Sequence, residues 1–513
     1  MAKKNGILRN IFTVGAFTML SRVLGLAREM LQSRFIGAGV EQSAFTLAFA
    51  IPNMARKLFG EGALTAAFVP IFKGEVEREG LEKAARLARA VMTMVLLLLG
   101  SVIALAMTTL SCISFTPGRA RLTAELVFIL CPYMLAICGA AFGMGVVNAL
   151  GKFRASSFMP ALLNLLWIAA LATLALMPSL DTAGRIRFVA AAILLGGFVQ
   201  MGFMFWAMHR AGVSPWPRFT GWGDAKVRLV WSNLGVAALG AGAVQVNYML
   251  DQVLGQLAAP WAAGVIGYAE RLMDLPLGVI GVAFGTVLLP TFAGFFARGD
   301  LDGARAALGD AMRNMLFIML PAAAGLCAVA GEVTGVIYEG GSFDAMATTR
   351  VSRALAVYAL GLGFFGLQKS LIPWFQAQGD MKTPLKISVA TVILNATLNI
   401  LAVWLLPVEW RHVGLAVSTV VCAAVGCGML LTRARRRHGA LGLGGVAAYV
   451  TRALAASAAM GAAVFALNRL LVGHFSPLPR LAVDIAAGAA VYGALAVALR
   501  LLPKRRRRSA AQG

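Results

Sequence analysis

Fourteen mostly apolar stretches, each about twenty residues or longer and so able to cross a bilayer as a helix, follow one another along the 513-residue chain. They fall near 10–36, 42–72, 86–112, 123–149, 155–178, 187–210, 227–258, 264–297, 306–330, 350–377, 384–406, 412–432, 447–471 and 480–502. A backbone in hydrocarbon has no water to bond and must satisfy its peptide groups internally, which for single spans means helices. The expected fold is therefore an all-α polytopic membrane protein. Composition agrees: 13% of residues are charged, against roughly 25% in soluble domains, and a mean hydropathy of +0.78 leaves too much apolar surface for water.

Lys and Arg number 46 against 22 Asp and Glu, a formal charge of +24. In a soluble protein that excess would point to nucleic acid, but here it sits in short loops. Loops after even-numbered spans hold Lys152, Arg154, Arg210, Arg218, Lys226, Arg228, Arg298, Arg305, Lys382, Arg433, Arg435, Arg436 and Arg437, and the tails add Lys3, Lys4, Arg9 and residues 504–508. The opposite loops are sparse in basic residues and carry Asp181, Glu332, Glu339, Asp344 and Glu409. The positive-inside rule thus expects both termini in the cytoplasm. The run from Lys504 to Arg508 reads as a topology signal resting on anionic membrane lipids, with no nucleic-acid partner. Lys3-Lys4 before an apolar stretch mimics a signal peptide, but Arg22 and Arg28 interrupt the run and no small-residue cleavage site follows. A retained first helix is expected.

Several chemistries are closed. The six cysteines form no CxxC pair and lie in or beside apolar segments, so free thiols are expected, and the four histidines are never at metal-ligand spacing. No loop is long enough for an extramembrane catalytic domain, which argues against a membrane glycosyl- or phosphotransferase and against an enzyme generally. An internal echo is also present: Phe68-Val69-Pro70-Ile71-Phe72 ends the second span and Leu288-Leu289-Pro290-Thr291-Phe292 the eighth. That spacing fits two six-helix lobes, 1–218 and 219–438, with two further helices and a basic tail at 439–513.

Ionisable residues inside spans carry the functional signal, because each costs about 2.5–3.5 kcal/mol near a helix centre. The first span has Arg22, Arg28 and Glu29, with Ser21 and Arg28 seven residues apart on one broad face; the second has Arg56, Lys57 and Glu61; the eighth has Glu270, Arg271 and Asp274. Lys57 and Glu61 stand at i,i+4. These charges either neutralise one another and fix packing or leave a positive remainder. If Lys57 takes Glu61, then Arg22, Arg28, Arg56 and Arg271 exceed what Glu29 and Glu270 can pair, and the remainder calls for an anion. A guanidinium fork suits phosphate.

The segments Ser21-Arg-Val-Leu-Gly-Leu-Ala-Arg28, Pro52-Asn53-Met-Ala-Arg56 with Gly60-Glu61-Gly62, Phe68-Val69-Pro70, Tyr268-Ala-Glu-Arg271-Leu-Met-Asp-Leu-Pro276 and Lys382-Thr-Pro-Leu-Lys386 resemble those of the MurJ (MviN) lipid II flippases. The resemblance runs through all fourteen spans. It implies the multidrug/oligosaccharidyl-lipid/polysaccharide exporter superfamily and a peptidoglycan role: moving undecaprenyl-diphosphate-linked precursor, lipid II, from the inner to the outer leaflet of the bacterial cytoplasmic membrane by alternating access. It further implies that Arg22, Arg28, Arg56 and Arg271 line or gate a central cationic cavity, with Ser21, Glu29 and Asn164 as substrate-binding neighbours. It also implies that the last two spans form a groove for the polyprenyl tail. Ser43 departs from the family pattern, in which many members have an Asp; Glu41 lies two residues away.

The principal alternative is a multidrug or other polyprenyl-linked oligosaccharide exporter of the same superfamily; a drug exporter would bind cations through cavity acids, which the arginine excess opposes. A scaffold without transport activity is the remaining alternative. A monomer is expected. For the energy source, Asp251 in the seventh span, Asn395 and Asn399 in the eleventh and Thr419 in the twelfth offer one carboxylate and three neutral oxygens, a set suited to Na⁺, with the membrane potential acting on the bound charge. The competing reading is that Asp251 is a neutral acid bonded to Asn395 as interhelical glue.

Overall fold

The computed structural model describes residues 2–58, 63–219, 221–439, 441 and 445–502; within helices, only the backbone is described at 2–13, 63, 65, 66, 236–241, 243, 244, 279–283, 285 and 286. Glu61, and with it the expected Lys57–Glu61 pair, lies outside the described residues, as does the basic run 504–508. The described chain is helical, with one isolated antiparallel bridge between Gly340 and Phe343. Two compact units emerge, 1–264 with 340–344, and 265–339 with 345–513.

The first unit holds α1 (Ala2–Ile36), α2 (Val40–Ala55), α3 (Ala63–Glu79), α4 (Leu81–Cys112), α5 (Arg119–Leu130), α6 (Tyr133–Ala149), α7 (Phe153–Thr173), α8 (Thr182–Arg210) and α9 (Ala225–Ala258). Two described helices, α2 and α3, fall in the expected second span. α2 contains Pro52 and runs into a π turn over residues 56–58, a local widening that is frequent at functional sites. The fourth span breaks into α5 and α6 at Pro132, whose ring cannot donate a backbone hydrogen bond. Several helices start on an aspartate that accepts from the first turn: Asp181 from the Gly184 amide at 2.9 Å and Asp224 from that of Lys226 at 2.8 Å.

The second unit holds most of α10 (Ala262–Ala297), then α11 (Leu301–Ala328), the short α12 (Ala330–Tyr338), α13 (Ala345–Gln376), α14 (Lys382–Leu405), α15 (Val408–His438), α16 (Val446–Leu471) and α17 (Pro477–Ala498). With α2 and α3 taken as one pass, α5 and α6 as another, and α12 set aside, the described helices are consistent with the expected fourteen. Ten are long and apolar enough to cross a membrane. Their outward faces carry side chains such as Leu105, Leu195, Ile393 and Trp404, which suit lipid contact.

Contacts at helix ends indicate which ends share a side. In the first unit Lys226 Nζ donates to Glu79 Oε1 at 2.7 Å, Lys152 Nζ to the Arg210 carbonyl at 3.3 Å, and Arg89 Nε to that of Trp216 at 2.9 Å. All join regions following even-numbered spans. At the other side Arg119 donates to the Gln256 carbonyl at 2.8 Å and Arg185 to that of Phe35 at 3.4 Å. The second unit repeats the pattern: Arg437 pairs with Asp380 and His438 meets Gln378 at one side, while Arg480 pairs with Glu332 and His412 meets the Arg350 carbonyl at the other.

The internal echo has a packing counterpart. α6 packs on α8 and α7 on α8, and in the second unit α13 packs on α15 and α14 on α15. By compactness the chain divides after Gly264. α9 packs on α2 and α3 and is pinned at both ends, by Lys226 to Glu75 and Glu79 and by Gln256 Nε2 to Ser43 Oγ at 3.2 Å. α16 and α17 cluster with the second unit, α16 packing along α11.

Candidate functional site

The first span supplies Ser21, Gly25 and Arg28, one helical turn apart in succession, to a face that packs on α7. α7 answers with Asn164 and Trp167, also one turn apart. The Asn164 amide bridges the cluster: Nδ2 donates to the Ser21 carbonyl at 3.0 Å and its Oγ at 3.4 Å, while Oδ1 accepts from Arg28 Nη1 at 3.0 Å. Gly25 faces the Asn164 amide, its position for a Cβ lying 3.6 Å from Nδ2, an ordinary van der Waals separation. The second Arg28 terminal nitrogen pairs with Glu29, and the guanidinium carbon lies 4.4 Å from the Trp167 ring centroid. Arg28 is thus a guanidinium clamped on an amide, a carboxylate and an indole face, and its Nε is buried without a hydrogen-bond partner. Its side chain keeps 19% exposure, so the donor fork is not sealed from a ligand.

The Trp167 indole donates to Gln32 at 3.2 Å, Gln32 to Gln42 at 3.0 Å, and the Thr46 hydroxyl bonds the Gln42 carbonyl at 2.8 Å. This buried polar chain ties α1, α2 and α7 together. Trp167 and the two glutamines were missed at the level of sequence; the i,i+3 spacing of Asn164 and Trp167 was the available signal. Arg56, in the π turn, directs Nε and Nη2 at Asn53 Oδ1, 3.2 and 2.9 Å away. Lys57 lies over the Tyr248 ring of α9 at 5.1 Å. Arg22 is half-buried on α1. Ser43 is fully buried and its hydroxyl accepts from Gln256, a neutral α2–α9 contact.

In the second unit Arg271 lies over the buried Tyr268 ring at 5.8 Å, Glu270 accepts from the Tyr358 hydroxyl at 3.4 Å, and Asp274 is exposed. The expected cation ligands divide between units. Asp251 accepts from Asn247 at 3.2 Å, one turn earlier on α9. Asn395 and Asn399 are buried one turn apart on α14, and Thr419 on the neighbouring α15 donates to the Leu415 carbonyl at 3.1 Å, which leaves its oxygen able to accept or ligate. Oxygen donors of this kind fit a hard monovalent cation. Among the described residues no group of three or more His, Cys, Asp and Glu is placed to hold a metal.

A second feature is an apolar cavity of about 510 Å³ in the second unit, between α10, α11, α16 and α17. Leu272, Pro276, Leu326, Val464 and Tyr492 are among its walls. Gly488 lets α17 approach α16 closely beside it, its position for a Cβ lying 3.1 Å from Val464 Cγ2.

The family model for lipid II flippase MurJ matches residues 32–482. A probable lipid II flippase MurJ of Rhizobium tropici is 33% identical over 471 residues, 90% of this chain and 87% of the relative. The lipid II flippase MurJ of Burkholderia cenocepacia is 32% identical over 447 residues, 84% of each chain. In fold, the chain is similar to a solved lipid II flippase MurJ in an inward closed conformation, with a TM-score of 0.77 at 21% identity over 95% of this chain and 98% of that one. An inward-facing multidrug resistance MATE family transporter of the MOP superfamily gives 0.63 at 16% identity over 84% and 98%. A family match over most of the chain and relatives more than 30% identical across 84–90% of it lead to one conclusion: the chain belongs to the lipid II flippase MurJ family.

Proposed function

We propose that this protein flips lipid-linked peptidoglycan precursor, lipid II, from the inner to the outer leaflet of the bacterial cytoplasmic membrane by alternating access, acting as a monomer with both termini in the cytoplasm. The observation that carries the reading is Arg28, held by Asn164, Glu29 and Trp167 with its fork partly open. A guanidinium so oriented in a low-dielectric setting matches a diphosphate better than a cationic drug. In this reading Arg28 and Arg271 bind the diphosphate, Arg22 and Arg56 assist its entry, and Ser21, Glu29 and Asn164 hold the first arginine in place. A ligand that engages arginines of both units drives the cycle only through its differential affinity for the two states.

The apolar cavity beside α16 and α17 serves the polyprenyl tail, because each methylene withdrawn from hydrocarbon into water costs about 0.8 kcal/mol. Na⁺ at Asp251, Asn395, Asn399 and Thr419, with about 2.3 kcal/mol per 100 mV acting on each charge moved, resets the empty carrier. The test is complementation in a strain relying on this copy. Arg28→Ala and Arg271→Ala should each abolish growth while the protein still inserts, and normal growth of both would reduce these arginines to packing roles.

A further inference from the structure

At the end of α4 opposite the Lys226–Glu79 contact, the first unit has an open cavity of about 710 Å³ that the arginine site does not use. α5 packs on α2 and α8, which leaves a cleft between α5 and the tip of α4. Its walls are apolar, with Leu110 and the exposed Ile113 and Phe128. Its mouth is charged. Glu125 Oε1 accepts from Arg121 Nε at 3.0 Å, and Oε2 accepts from Arg187 Nε at 3.0 Å and Nη2 at 2.9 Å.

Four arginines gather at this end, on a side whose loops are otherwise poor in basic residues. Arg119 and Arg185 donate to the Gln256 and Phe35 carbonyls and so tie helices together. Arg121 and Arg187 line the cavity instead, and apart from Glu125 they have no protein partner among the described residues. Two guanidiniums around one carboxylate leave a charge of +1 at the boundary between water and lipid. Glu125 orients the forks without consuming them, because both Arg121 terminal nitrogens and Nη1 of Arg187 remain free to donate. Guanidinium forks suit a phosphodiester. The hydroxyls of Ser111 and Ser114 line the same cavity, and Ser111, which donates to the Thr108 carbonyl at 2.8 Å, keeps its oxygen for an alcohol donor.

We infer that this cavity binds one monoanionic phospholipid, with a phosphatidylglycerol headgroup, from the leaflet facing away from the cytoplasm. The phosphodiester bridges Arg121 and Arg187, the headgroup hydroxyls meet Ser111 and Ser114, and the acyl chains run past Leu110, Ile113 and Phe128. Charge selects this lipid. The ammonium of phosphatidylethanolamine would need an acceptor, and both Glu125 oxygens are taken. The two phosphates of cardiolipin exceed the single positive charge. The inference is independent of the diphosphate reading of Arg28.

The experiment places the full chain in phosphatidylethanolamine nanodiscs doped with a photoactivatable phosphatidylglycerol, phosphatidylethanolamine or cardiolipin, and maps the crosslinked peptides by mass spectrometry. Phosphatidylglycerol should mark the 110–129 region of the cavity most strongly. Arg121→Gln combined with Arg187→Gln should lower that capture at least about tenfold, as loss of a charge-assisted hydrogen bond implies. Both side chains are exposed, so the variant keeps its fold. Glu125→Gln, which raises the local charge to +2, should shift the preference toward cardiolipin. Equal capture of phosphatidylglycerol and phosphatidylethanolamine by wild type overturns the inference, as does capture unchanged in the double variant. Wild-type preference for cardiolipin, or a preference that Glu125→Gln leaves unmoved, overturns the charge match on which it stands.

Discussion

Arg28→Lys separates an oriented guanidinium from a mere positive charge. Lysine keeps the charge but has no planar fork. From one position it cannot reproduce both the 3.0 Å bond to Asn164 and the pairing with Glu29, and it loses the flat face set 4.4 Å from the Trp167 centroid. One hydrogen bond involving a charged group contributes about 1.5–3 kcal/mol. Taking about 2 kcal/mol for the net loss, affinity for a diphosphate headgroup should fall about thirtyfold. The assay is competition by a soluble, short-chain polyprenyl-diphosphate glycan for labelled substrate on purified protein, with Arg28→Ala as the lower bound. Wild-type affinity for Arg28→Lys would refute the idea that the clamp's geometry matters and leave charge alone.

Three further outcomes follow from the same description. Single cysteines introduced near Asp181 and Glu409 should react with an impermeant reagent added outside intact cells, whereas one near Arg436 should not; the reverse pattern would invert the orientation. Lys226 and, secondarily, Lys83 hold the Glu79 carboxyl down to about 2. A depressed folded-state value stabilises above the unfolded value of about 4.5 and is lost as pH falls toward 2. The difference in Tm between wild type and Glu79→Gln in detergent should therefore be present near neutral pH and vanish over that interval, and a difference independent of pH would contradict the pairing. Asp251→Asn should remove any dependence of flipping on Na⁺ or imposed voltage in proteoliposomes, and identical dependence in both proteins would take Asp251 out of the coupling step.

The periodic apolar runs made the helices readable, because a bilayer admits few other solutions. The π turn at Arg56 was less readable: Pro52 precedes it, but tertiary packing decides where a helix widens. The partners of α9 were not readable. A repeat in sequence marks which helices correspond, whereas α9's partners are set by side chains at its two ends, Lys226 and Gln256, which meet Glu75, Glu79 and Ser43. In the site, Ser21, Arg28 and Asn164 were identifiable through resemblance, and the structure brings them into one hydrogen-bonded cluster. The pairing of Arg28 with the adjacent Glu29 was obscured because consecutive helical residues do not face each other; the long arginine side chain bridges the gap.

The central claim is transport of the precursor between leaflets, and the most direct measurement is its accessibility from outside. In the source bacterium, this protein is depleted under an inducible promoter, and an enzyme that cleaves the lipid-linked precursor, unable to enter the cell, is added to spheroplasts. The account predicts that total precursor rises while the cleavable fraction falls, and that wild type but not Arg28→Ala restores it. An unchanged cleavable fraction on depletion, with no other flippase active in the strain, would contradict the account.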